Sequence, residues 1–276
     1  MKLLSNLLIL IFIFTACVKN KGRFSDLRCE YQELPINVDT QHPRFTWTYN
    51  TQQNSFVQKA YKLDLAVSEK ALQNRAFLWT SGKVAGDITR VVYKGNVPLK
   101  AHTRYYWRVN AWNDKGEAIV SEINSFETAK MQSSDWNAQW ITDKHDKNYG
   151  PAPMLRKSFN SNKKVKSASL YISAVAYYKL YVNGNMPTKI KLDPGYTHYD
   201  KRNLYTTIDI TRFIRKGENV IATVLGNGFY NEIAPVATWD FEKARWRDRA
   251  KMIMEIRVNY ADGTTLVIPS DATWKT

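Results

Sequence analysis

From about residue 45 to its end, the chain alternates apolar and polar residues with a period of two. After the first 16 residues no stretch carries a convincing helical period. Such alternation sends successive side chains to opposite faces and builds half-buried antiparallel strands. Phe45-Thr46-Trp47-Thr48-Tyr49 alternates aromatic with polar residues. Tyr61, Leu63, Leu65 and Val67 alternate with Lys62, Asp64 and Ala66. Tyr105, Trp107, Val109 and Ala111 share one face, and Asn113-Asp114-Lys115-Gly116 follows as a turn. Phe126 and Thr128 close the last strand of this first unit. Ala129 to Ser134 reads as a linker, after which Trp136 and Trp140 either plug the gap between two units or join the core of the second.

The second unit repeats the logic with different strands. Leu155 to Phe159, Leu170 to Ile172, Tyr178-Leu180-Val182, Leu204 to Ile210 and Met252 to Tyr260 read as strands. Asn183-Gly184 supplies a tight hairpin turn. Asp209 or Thr211 caps one short helical turn at Arg212 to Ile214. Val220 to Leu225 is a nearly continuous apolar run, as in a strand buried on both faces. Short strands at this spacing imply a jelly-roll sandwich. The expected fold is therefore all-β: two β-sandwich domains, residues 26–129 and 150–276, joined by a linker over 130–149. With 44% apolar residues and nine tryptophans, both units have material for packed cores.

The first residues describe export. Lys2 precedes an apolar run from Leu3 to Phe14, too short for the ~20 residues a membrane span takes. Phe14-Thr15-Ala16-Cys17 has small residues before a cysteine, the pattern of a lipobox. Residues 1–16 are then a signal peptide, Cys17 the lipidated end of the mature chain, and residues 17–25 its tether; the alternative is a plain secretory signal cleaved after Ala16. The expected location is the bacterial cell envelope, with a lipid anchor as the membrane contact. The stretch Val18 to Arg23 is basic, which favours the periplasmic face over the cell surface. Cys17 and Cys29 are the only cysteines, so a lipidated Cys17 leaves Cys29 without an intrachain partner and stability to core burial. The net charge of +15 would suggest nucleic acid in another compartment. Export leaves anionic glycans, lipid head groups or a solvated surface.

Two resemblances sharpen this. Leu99-x-x-x-Thr103-x-Tyr105-x-Trp107-x-Val109-x-Ala111 resembles the sixth strand of fibronectin type III modules, in which a tyrosine caps the preceding corner; Tyr105 is the candidate. Tyr178 to Gly184, Leu192-Asp193-Pro194-Gly195-Tyr196-Thr197, Asp209-Ile210-Thr211, Gly217-Glu218-Asn219-Val220 and Gly226-Asn227-Gly228-Phe229-Tyr230 follow in an order similar to the N-terminal region of bacterial α-L-rhamnosidases of glycoside hydrolase family 78. The resemblance implies a fibronectin-like module, a jelly-roll domain, and a role in breaking down rhamnose-containing glycans. It places catalysis in a C-terminal (α/α)6 barrel, and the sequence ends at Thr276 before any such helices. No catalytic residue can be carried over, and the chain alone is expected to be inactive. A truncated or split gene and a standalone glycan-binding lipoprotein both remain open.

The residues offer no independent catalytic set. Inverting hydrolysis needs two carboxyls ~6.5–9.5 Å apart, and nothing in the spacing of Asp193, Asp200, Glu232, Asp240 and Glu242 brings two of them together; they read as surface acids and turn formers. The four histidines, 42, 102, 145 and 198, lack zinc spacing. Gly226-Asn227-Gly228 leads into no helix, so it is no phosphate loop. Sugar binding is better supported, since it needs aromatic faces and planar hydrogen-bonding groups. Asn227, Tyr230, Trp239, Asp240, Trp246 and Arg247 supply both; alternatively Trp239 and Trp246 pack onto the sandwich end. Calcium is a candidate cofactor, with oxygens sought among Asp193, Asp200, Asn227 and Asp240. Lys243, Arg245, Arg247, Arg249 and Lys251 fall at every second position. If extended they form one charged face, suited to an anionic pectic polymer or merely a solvated edge strand.

Overall fold

The computed structural model describes residues 23–50, 56–232 and 243–276. Cys17, Trp239 and Asp240 lie outside the described residues. The first domain contains β1 (Arg23–Cys29), β2 (Arg44–Asn50), β3 (Ala60–Ala66), helix α1 (Glu69–Gln73), β4 (Trp79–Thr80), β5 (Val84–Ala85), β6 (Arg90–Val92), β7 (Arg104–Trp112), β8 (Ala118–Val120) and β9 (Asn124–Glu127). One sheet runs β1-β2-β6. The other is built on the β3–β7 pair, with β4 and β5 on β3 and β8 and β9 on β7.

Aromatic residues from the two sheets meet in the middle. Phe45 of β2 lies 4.9 Å from the Trp107 ring and 5.7 Å from Phe126, all fully buried. Each such pair contributes roughly 0.5–1.5 kcal/mol beyond burial. The Trp47 indole donates to Gln58 Oε1 at 3.0 Å, so its polar edge is satisfied inside the core. Tyr105 takes its expected corner: its hydroxyl accepts the Lys100 N–H at 2.9 Å. Strand β3 differs from the alternation. It is the central strand of its sheet and is buried on both sides, and Asp64 is held there by Lys62 at 3.1 Å and by the Thr80 hydroxyl. Val67 falls beyond its end and is exposed.

The second domain contains β10 (Met154–Ser161), β11 (Val165–Val175), β12 (Tyr177–Val182), β13 (Thr206–Asp209), β14 (Gly217–Gly226), β15 (Lys251–Tyr260) and β16 (Thr265–Pro269). A three-stranded sheet, β10-β14-β12, faces a four-stranded one, β13-β11-β15-β16. Leu170, Ile172, Met254 and Ile256 of one sheet and Leu180, Val182, Ile221 and Leu225 of the other belong to one buried core. Asp209 Oδ1 accepts the Thr211 N–H at 2.8 Å, but the N-cap position of the short 3-10 turn Thr211–Phe213 is Ile210, with no side-chain cap, so neither Asp209 nor Thr211 caps it as expected.

Two expectations are corrected here. Strand β14 is not buried on both faces: Asn219, Ile221, Thr223 and Leu225 are buried, while Val220, Ala222 and Val224 are half-buried. The strands with near-continuous burial are β11 and β15, because the linker and first domain cover the outer face of their sheet. Asn183 and Gly184 do form a left-handed turn, with φ of 50° and 80°. It closes only the Val182–Asn185 bridge. No returning strand follows, because β12 pairs with β14 instead and Asn183 Nδ2 ties the turn to Phe213 O and Asn219 Oδ1.

A polar seam joins the domains. Lys130 Nζ, in the linker, lies 2.7 Å from Glu255 Oε2 on β15, and both side chains are almost fully buried. Burial pushes the Lys130 ammonium below its ordinary range. Burial also works against the Glu255 carboxylate, but hydrogen bonds from Lys130 and the Asn137 N–H outweigh it and hold that carboxyl low. Tyr205 OH bonds the Lys130 backbone at 3.1 Å and 3.2 Å. Trp136 joins the seam, its ring 4.7 Å from Lys130 Nζ, whereas Trp140 is 42% exposed and plugs nothing.

His102, from the first domain, packs edge-on against Tyr171 of β11 at 4.9 Å, and neither of its buried ring nitrogens has a partner. Burial, then Arg257 and Lys130, push its pKa down to about 4, only partly opposed by Glu255 and Asp135. A histidine depressed in the fold and ordinary when unfolded stabilises fully above pH ~6.5, and that stability is lost as pH falls toward 4. The shift corresponds to at most about 3 kcal/mol, which partial exposure of the ring trims to roughly 1–2 kcal/mol. Asn tolerates the positive φ of 53° at this position, so His102→Asn should flatten the loss of stability between pH 6.5 and 4 relative to the parent. Equal slopes in urea unfolding at pH 7, 5.5 and 4.5 would refute this role.

Candidate functional site

The loops at one rim of the second sandwich gather a cluster of aromatic side chains that runs from the edge of the core out to solvent. Segments 142–151, 191–203, 226–232 and 243–250 meet there. Gly226-Asn227-Gly228 turns the chain out of β14, and a Cβ at Gly228 would sit 3.0 Å from the Tyr177 ring, with φ at +48°. Glycine is therefore required where this loop crosses β12. The turn delivers Phe229 against Tyr196 at 5.4 Å and Tyr230 against Tyr199 at 5.3 Å. Tyr199 also approaches Trp246 at 6.4 Å, and His198 meets Trp246 at 5.0 Å. The cluster is layered. Tyr199 and Tyr230 are buried beneath, while Tyr196 at 52% and Phe229 at 43% exposure present their rings to solvent. Burial pushes the Tyr199 phenol up to about 12.

The polar groups at this rim are unusually poorly paired. Asn227 Oδ1, Asn231 Oδ1, Trp246 Nε1 and Arg247 Nε are buried and without a hydrogen-bond partner. Folded proteins leave few such groups, so four in one loop cluster require an explanation. Two of these side chains are anchored through their other atoms: Asn231 Nδ2 donates to Lys147 O at 2.7 Å, and Arg247 Nη2 donates to Asn148 Oδ1 at 2.9 Å.

The structure therefore brings Asn227, Tyr230, Trp246 and Arg247 together, with Tyr230 supporting from below rather than facing outward. The sequence reading missed Tyr196, His198, Tyr199, Phe229 and Asn148. Tyr196, Phe229 and Tyr230 nonetheless lie inside two motifs, Pro-Gly-Tyr-Thr and Gly-Asn-Gly-Phe-Tyr, that are distant in the chain and abut in the fold.

The five-residue basic stripe is corrected. Segment 243–250 is a series of turns, not a strand, so the five charges share no face. Lys243 and Arg245 are exposed. Arg249 is buried, with Nε and Nη2 gripping Asp143 at 2.8 Å and 2.6 Å. Lys251 pairs with Asp248 at 2.7 Å. Of the candidate calcium oxygens, those of Asp193 and Asp200 have protein partners, Asn227 Oδ1 has none, and Asp240 lies outside the described residues. Asp193 Oδ2 accepts from Tyr178 and Thr206, and Asp200 pairs with His198. Among the described residues no three acids, histidines or cysteines gather as metal ligands.

Comparison with known proteins follows the two sandwiches. The family description "Rha78A-like, N-terminal immunoglobulin domain" matches residues 24–132, and "Alpha-L-rhamnosidase N-terminal domain" matches residues 163–276. Both domains of this chain resemble the N-terminal region of the α-L-rhamnosidases. An α-L-rhamnosidase of Formosa agariphila is 32% identical over 99% of this chain and 32% of its own length. The solved α-L-rhamnosidase from Dictyoglumus thermophilum superimposes with a TM-score of 0.81 and 34% identity, covering 92% of this chain and 29% of that one. The Aspergillus terreus α-L-rhamnosidase, at 22% identity and a TM-score of 0.74, shares the fold. The chain thus spans about a third of the length of the α-L-rhamnosidases it matches. The aromatic rim lies within the segment matched to the α-L-rhamnosidase N-terminal domain.

Proposed function

We propose that this chain is the non-catalytic, glycan-holding portion of an α-L-rhamnosidase-like lipoprotein of the bacterial envelope, anchored through Cys17 on the periplasmic face, and that it serves the breakdown of rhamnose-containing glycans. The observation that carries the reading is the rim itself: exposed Tyr196 and Phe229 rings beside the under-bonded polar groups of Asn227, Asn231, Trp246 and Arg247. Sugars are held by stacking a C–H face on an aromatic ring and by hydrogen bonds to fixed polar groups. Trp239 and Asp240 belong to the proposed site on sequence grounds. A standalone glycan-binding lipoprotein is the second reading, favoured by the same rim.

The test uses purified protein comprising residues 18–276. No turnover of an aryl α-L-rhamnoside is expected. Rhamnose-containing oligosaccharides should bind, and Tyr196→Ala and Trp246→Ala should each weaken Kd about tenfold, the worth of one lost stacking or hydrogen-bonding group, with an unchanged far-UV circular dichroism spectrum. Affinity is compared with calcium and with a chelator, and a loss under the chelator assigns the ion to oxygens among Asp193, Asp200, Asn227 and Asp240. Turnover that survives repurification, or affinity unchanged in both variants, would remove the basis of this reading.

A further inference from the structure

Arg247 differs from the two cations that follow it at alternate positions. Arg249 has Asp143 and Lys251 has Asp248, but Arg247 forms no ion pair among the described residues. Its one side-chain partner is the neutral Asn148 Oδ1, and its Nε is buried and unbonded. The side chain is half-buried. A guanidinium drawn partly out of water ordinarily takes a carboxylate, most favourably through two parallel N–H···O bonds. The next residue adds a second unused donor, the buried Trp246 Nε1. Asn231, completely buried, leaves Oδ1 unpartnered in the same loop cluster. Trp246 continues through Tyr199 to the exposed Tyr196 and Phe229 rings. Cationic donors at one end and exposed ring faces at the other match a pyranose that carries a carboxylate.

We propose that Arg247, positioned by Asn148, is a carboxylate subsite that selects acidic sugars, hexuronates, within the bound glycan. The inference rests on the glycan-holding reading and names the substrate class of the same rim. Selectivity here comes from a single fixed guanidinium with no counter-ion among the described residues, not from the summed basic charge of the segment. Arg245, two residues earlier and exposed, contributes only diffuse attraction that salt screens.

The experiment titrates residues 18–276 with a rhamnose- and galacturonate-containing oligosaccharide and with the same oligosaccharide after its carboxyls are reduced to alcohols. The acidic ligand should bind at least about tenfold more tightly, the difference of one charge-assisted pair. Arg247→Gln should bring both ligands to the affinity of the reduced one. Arg245→Gln should leave the ratio unchanged. Thermal unfolding of each variant checks that the fold is retained, and Arg247→Lys, which keeps the charge but loses the fork, should recover only part of the ratio. Equal affinity for the two ligands, or a ratio that persists in Arg247→Gln, overturns the carboxylate subsite while leaving the glycan-holding reading intact. Failure of both ligands to bind overturns the two together.

Discussion

Glu255→Ala is expected to destabilise the protein by about 3–5 kcal/mol, the usual cost of stranding a buried charge by deleting its partner. Lys130 Nζ would keep only the Asp135 carbonyl at 2.7 Å and the faces of Trp136 and Tyr171, in a site that is almost fully closed to water. Arg257, 3.0 Å from the same carboxylate, would lose its partner too, and the Asn137 N–H its acceptor. For a protein of this size the loss corresponds to roughly 10 °C or more in Tm. The double replacement Lys130→Met with Glu255→Leu should recover most of that stability, because apolar residues of similar volume avoid the desolvation cost altogether. It should not recover the coupling between domains. In the parent, one unfolding transition is expected; in the double variant, the first domain is expected to melt separately. A Glu255→Ala variant within 1 kcal/mol of the parent, by urea or thermal unfolding, would show that the seam is a passive contact.

Why the seam was invisible in the sequence follows from its residues. Lys130 reads as a linker lysine and Glu255 as a polar residue in an alternating strand, and nothing local says that each is buried by the other. Strand identity was legible because alternation is a local property: β7 buries Tyr105, Trp107, Val109 and Ala111 as read. Which strand is buried on both sides was not, because that depends on what covers the sheet. Hence Val220 to Leu225 looked doubly buried and Glu255 did not. The candidate site was half legible for the same reason. Its aromatic residues sit in two motifs, around Tyr196 and Phe229, separated in the chain by strands β13 and β14. Only the return of β14 alongside β12 brings the Gly228 turn over Tyr177 and into contact with the Tyr196 loop. The basic stripe failed at the level of local structure: five charges at every second position make a face only in an extended segment, and here the chain turns at Arg245-Trp246 and bends at Arg249 before β15 begins.

Arg249→Met is expected to cost about 3–5 kcal/mol and to dismantle the rim from beneath. The Arg249 side chain is 3% exposed and makes four hydrogen bonds, two to Asp143 and one each to Tyr149 O and Pro151 O at 2.6 Å and 2.7 Å. Those bonds tie both ends of the 143–151 loop to the start of β15. The Asp143 carboxyl is held below the usual range first by that guanidinium, against burial. Removing it leaves a largely buried carboxylate with only His145 and two backbone carbonyls without donors, each a costly vacancy. Methionine keeps the volume, so the loss is electrostatic rather than a cavity. The loop carries Lys147 O, which anchors Asn231, and Asn148, which anchors Arg247. Hydrogen exchange should therefore accelerate over 143–151 and 227–232 while the first domain keeps its protection. Glycan affinity should fall together with that protection, although Arg249 itself faces no ligand. Loss of affinity without faster exchange in these loops would place Arg249 in direct contact with the sugar instead. Unchanged exchange together with unchanged affinity would mean that the 143–151 loop holds its shape through the core contacts of Ile141 and Trp246 alone, and that the arginine is dispensable to the rim.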